Sequence, residues 1–193
     1  MADDIRIQVV LRRLDGAASV YQAASIAEAK QLTQEIAEQN YPDTAAIEVE
    51  RVTRIKVGMV FPEGKGGDEA GSTWVDNEAI NAPAPEARPK PRPGWGNAAR
   101  DTGFVAPSDV SFVIEYRDGS GATKSQKVPV RALNDTLSRL VSSPGTGQIV
   151  LWRVVTEHLG IRTPDGQEIW NRYLIDRPMN GRSMPGGEGL GAA

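Results

Sequence analysis

The chain has 193 residues, 39% of them hydrophobic, a formal net charge of −3 and no cysteine. The missing cysteines exclude disulfides, thiolate metal sites and cysteine nucleophiles, and the mildly acidic balance gives no electrostatic reason to expect a nucleic-acid partner. That length suits one large domain or two small ones.

In chain order, Ile5, Ile7, Val9 and Leu11 alternate with Arg6, Gln8 and Arg12, the period of a half-buried strand. Asp15-Gly16 reads as a hairpin turn into a second strand, "ASVYQAA". Ser25 followed by Glu28 forms a capping box, and Ile26, Ala29, Leu32, Ile36 and Ala37 then recur on one helical face. The helix is expected to stop near Tyr41-Pro42, because the residue before proline avoids the helical region. Alternation resumes in "AAIEVERV", and "VGMVF" leads through a glycine-rich bend to "STWV".

The order then repeats. "DVSFVIEYRDG" matches the first strand and turn, "TKSQKVPV" the second strand, and "RALNDTLSRLVSS" a helix with Val130, Leu133, Leu137, Leu140 and Val141 on one face. "QIVLWRVVTEHLG" is apolar on both faces, the pattern of a central strand, and "TPDGQEIWNRYLI" closes the segment after a Pro-Asp-Gly turn. Residues 42–64 and 144–166 align without a gap at an offset of 102, agreeing at Pro42/Pro144, Thr44/Thr146, Ile47/Ile149, Arg51/Arg153, Val52/Val154, Gly58/Gly160, Pro62/Pro164 and Gly64/Gly166. A tandem duplication is the reading this supports.

The expected fold is therefore α+β: an internal tandem duplication of a small ββαββ module, each a sheet with one helix on a face. Its divisions are 1–80 for the first module, 81–108 for a proline-rich extended linker arm, 109–177 for the second module and 178–193 for a glycine-rich C-terminal arm. Ile7, Val9, Leu32, Ile36, Ile47 and Val49 form the expected core of the first module. Val113, Leu133, Leu137, Ile149 and Leu151 form that of the second. Arg51, Arg153, Gly58, Gly160, Gly64 and Gly166 are duplicated positions with a structural role, the arginines as buried ion-pair anchors or as a contact used twice.

No motif carries chemistry. His158 is the only histidine and reads as an ordinary strand residue; Glu48 and Glu50 share a strand face with Arg51 and Arg54 nearby, which reads as a salt-laced solvent face. The glycine clusters lack phosphate-loop spacing. No catalytic residue, cofactor or metal is expected, and an enzyme is not. The expectation is a structural or adaptor protein of a larger complex, most concretely a virion component such as a phage head or tail accessory. Its partners are other protein subunits or copies of itself, contacted through the arms at Arg88, Lys90, Arg92, Trp95, Arg177 and Arg182. Two alternatives stand beside it: a nucleic-acid-binding module using its sheet faces and the basic arm at 88–95, and a small-ligand protein or enzyme with a pocket between modules. The acidic N-terminus shows no signal peptide and no membrane span, so a cytoplasmic location or incorporation in a virion is expected.

Overall fold

A computed structural model describes residues 4–39, 43–62, 73–86 and 108–176. It is a mixed α+β fold built on one antiparallel sheet. Strands β1 (Asp4–Arg13) and β2 (Ala18–Ala23) form a hairpin, followed by helix α1 (Ile26–Glu38), a long β3 (Thr44–Val60), a short β4 (Trp74–Val75) and a five-residue helix α2 (Asn77–Asn81). The second half runs β5 (Asp109–Arg117), β6 (Thr123–Pro129), a single 3-10 turn (Val130–Ala132), α3 (Leu133–Ser142), β7 (Ile149–Arg162), β8 (Glu168–Trp170) and α4 (Arg172–Ile175). The sheet order is β2-β1-β3-β7-β5-β6, with β4 and β8 added to the far ends of β3 and β7. Both segments thus lie in a single sheet, each contributing a hairpin and a long strand, with β3 and β7 paired at its centre.

Local chemistry sets the element ends. Gly16 takes φ 85°, and the Asp15 side chain accepts from the Ala17 amide at 2.8 Å, fixing the first hairpin. Ser25 Oγ accepts from the Glu28 amide at 3.1 Å, while Glu28 reaches back to the Ala24 amide at 2.7 Å, one residue further out than the usual capping box. Helix α3 has no side-chain cap; the 3-10 turn after Pro129 leads into it instead. In the β5–β6 turn, the Asp118 carboxylate accepts from the Ser120 amide and hydroxyl and from the Ala122 amide, and pairs with Lys124 Nζ at 2.9 Å.

Those donors, the Ser120 hydroxyl first, hold the Asp118 carboxyl below the usual aspartate range. A depressed folded-state pKa means the contribution is complete above the unfolded value of about 3.9 and is lost as pH falls through the folded one. The carboxyl carbon of Asp118 should therefore titrate by NMR below the usual aspartate value of about 3.9. Titration at that usual value would show that the turn bonds do not persist in solution.

Two hydrophobic clusters pack between sheet and helices, and each draws on both halves of the chain. The first joins Ile7, Val9 and Leu11 of β1, Ala29 and Ile36 of α1, and Ile47 and Val49 of β3 to Leu159 of β7 and Leu174 of α4. The second joins Phe112 and Ile114 of β5, Val128, Leu133, Leu140, Ile149 and Leu151 to Val57 of β3, with Ala79 and Ile80 of α2 against it. The exchange has a local cause. The β3–β7 register slips twice, from Lys56↔Trp152 to Gly58↔Leu151 and from Val49↔Gly160 to Glu50↔His158, leaving Val57 and Leu159 as the extra residues of two bulges. Each bulge puts two consecutive residues toward the helices, a core side chain followed by a glycine. At Gly160 a Cβ would lie 2.5 Å from Trp170 Cε3, so the ring occupies the space a side chain would need. Both bulge carbonyls accept amides of the following connection: Val57 from Asp76 and Leu159 from Asn171, each at 2.8 Å.

Three core expectations need correction. Val113 is only half-buried and faces away from the helices, because in the apolar run Phe112-Val113-Ile114 it is the flanking residues that pair into the cluster. Leu32 and Leu137 are half-buried at the cluster margins, their helices being centred instead on Ala29, Thr33 and Ile36 and on Leu133, Thr136 and Leu140. Both ends of the second expected helical face fail as well: Val130, in the 3-10 turn before α3, and Val141, in its last turn, are exposed. The short α2 and α4 extend the expected ββαββ order to ββαββα.

Candidate functional site

The face of the sheet opposite the helices sets paired polar side chains beside valines such as Val10 and Val154. Beside its centre, Arg54 Nη2 donates to Glu115 Oε1 at 2.8 Å, the Trp152 indole donates to Glu115 Oε2 at 2.9 Å, and the Arg54 guanidinium lies 4.8 Å from the centre of the Trp152 ring. One carboxylate from β5 is thereby tied to β3 and β7 together. Next along the seam, Glu48 and Glu50 of β3 meet His158 of β7, with one ligand-type atom from each lying within 4.8 Å of the others. Arg12 Nε donates to Glu48 Oε2 at 2.6 Å and Gln8 Nε2 to Glu50 Oε2 at 2.8 Å, so β1 supplies the polar flank of the cluster.

On the helix side, the two matched arginines are buried in the sheet centre, and each reaches the other half of the chain. Arg51 sits opposite Glu157 across β3–β7, with Nη1 3.5 Å from Glu157 Oε2, and its Nη2 donates to the Leu174 carbonyl of α4 at 2.9 Å. Arg153 stands opposite Ile55 rather than a carboxylate, and its Nη2 donates to the carbonyls of Ala82 and Pro83, just past α2, at 2.8 and 3.0 Å. Burial pulls the Arg153 guanidinium down from its ordinary value. Both arginines bury an Nε with no hydrogen-bond partner among the described residues. A guanidinium offers five donors in a rigid fork, which suits it to gather carbonyls from a helix end into a sheet.

Of the other sequence-derived positions, Gly58 and Gly160 follow the two bulges and Gly166 takes φ 86° in the β7–β8 turn. Arg88, Lys90, Arg92, Trp95, Arg177, Arg182 and Gly64 lie outside the described residues. His158 is the residue that sequence reasoning set aside. Its position opposite Glu50 depends on pairing two strands more than a hundred residues apart and on the bulge at Leu159.

Fold and site together define an antiparallel α+β chain with a buried-arginine centre and a carboxylate–imidazole cluster on the open face. Comparison with protein-family models, curated proteins and solved structures finds no match. No helix among the described residues is long and apolar enough to cross a membrane.

Proposed function

We propose that this chain is an assembly or adaptor protein, a non-enzymatic platform that carries two extended arms onto neighbouring subunits, in the setting of a virion head or tail. The observation that carries the reading is the placement of the two buried arginines. Arg153 holds the carbonyls of Ala82 and Pro83, where the proline-rich arm begins, and Arg51 holds Leu174, shortly before the C-terminal arm. Each arm is rooted by a charge-assisted bond from the opposite half, so a pull on either arm is borne by the whole sheet.

An internal duplication accounts for this reciprocity. The recurrence of element order, the sheet order that reads the same from either edge, the bulges at Val57 and Leu159 and the amides that their carbonyls accept support it. Ancestral modules of this kind would have paired long strand to long strand, as two copies do across a two-fold axis.

The test compares amide exchange of the free chain with that of the chain in purified particles. Slower exchange at 87–107 and 178–193 in the particle, with the chain present at a fixed copy number, supports the reading. Identical exchange in the two states, or absence of the chain from particles, rules it out.

A further inference from the structure

Glu50 is a carboxylate placed almost out of solvent, at 5% exposure, in the middle of a sheet face. Its Oε2 takes the Gln8 amide, but among the described residues Oε1 accepts no hydrogen bond: it faces His158 Nδ1 at 3.7 Å and Arg12 Nη2 at 3.9 Å, both beyond hydrogen-bond length. Neither ring nitrogen of His158 has a hydrogen bond among the described residues. Oε1 thus has only these two longer ionic contacts, which leaves it available to a cation. Glu48, two residues before Glu50, brings a second carboxylate to the same spot.

We propose that Glu48, Glu50 and His158 hold a divalent transition metal of the zinc class. The donor set decides the class: an imidazole with carboxylates suits zinc and its neighbours, whereas magnesium and calcium take oxygen ligands. Ligand atoms on a tetrahedral zinc lie about 3.3 Å apart, so the present spread of 4.8 Å closes by side-chain rotation, with the backbone positions already fixed by the β3–β7 register. Two carboxylates against one guanidinium leave one net negative charge for the ion, and the imidazole would bind it through a nitrogen lone pair. Gln8, bonded to Oε2 of Glu50, and Arg12, bonded to Oε2 of Glu48, are the outer partners that orient the two ligands. Three protein ligands leave a fourth position for water, and the ion ties the first half of the chain to the second across the central seam.

The experiment uses the full chain without an affinity tag, so that His158 is the only imidazole present. Zinc chloride is titrated by calorimetry while the imidazole nitrogen resonances are followed by NMR. The expected result is one zinc per chain with a shift of the metal-bound ring nitrogen. His158→Ala and Glu50→Gln should lose at least the roughly 10- to 100-fold in affinity that outer-shell changes cause, and Gln8→Ala should fall within that range. Circular dichroism verifies that each variant folds. If His158→Ala does not fold, the wild-type imidazole signal decides the matter alone. Imidazole resonances unmoved by zinc, or affinity unchanged in a folded His158→Ala variant, would overturn the assignment.

Discussion

Arg51→Met should destabilise the fold by about 3–5 kcal/mol, the cost of breaking a buried ion pair by removing one partner. Arg51 and Glu157 are both buried, and the substitution takes the guanidinium from Glu157 and from the Leu174 carbonyl at once. Urea unfolding monitored by circular dichroism measures the loss. The double variant Arg51→Met, Glu157→Leu should lose less than Arg51→Met alone, since the buried carboxylate then no longer faces an apolar methionine. A single-variant loss under about 1 kcal/mol would mean that water reaches this pair in solution.

Leu159→Ala should cost about 2–5 kcal/mol, as for other fully buried leucines, and the loss should appear in the wrong half of the sequence. Leu159 belongs to β7 but packs with Ile7, Val9, Ala29 and Ile36. The amides of α1 should then exchange faster in the variant by the factor its stability loss dictates, and both halves should melt in one transition. Faster exchange confined to β7 and β8, with α1 unchanged, would show that the halves are energetically separate. The second cluster gives the mirror case through Val57.

Much of the element order is legible in the residues themselves. Alternation in β1 names Ile7 and Val9 correctly, and Ser25 with Glu28 marks the start of α1. What was not legible shares one cause, which is that it depends on contacts distant in sequence. Helices α2 and α4 are too short for any periodicity, and only their N-cap residues, Asp76 and Asn171, announce them. In β5 three consecutive apolar residues leave the inward face undecided until β6 and β7 are in place. Arg51 and Arg153 stood out as a matched pair, but the carbonyls they reach could not be read from spacing. Glu50 and His158 become neighbours only through the register of the two long strands.

The exchange of Val57 and Leu159 between clusters also bears on how the chain is made. As the first half leaves the ribosome, its hairpin and α1 lack Leu159 and Leu174, and the inner edge of β3 has no strand to pair with until β7 is synthesised. Pairings this distant in sequence form late and slowly, because closing the long intervening loop comes before any gain from the contact. The N-terminal half therefore waits, with part of its apolar face and a row of strand amides uncovered, for roughly the time that a hundred residues take to be translated, on the order of 5–20 s. That interval is when the nascent chain is most open to a chaperone or to another copy of itself.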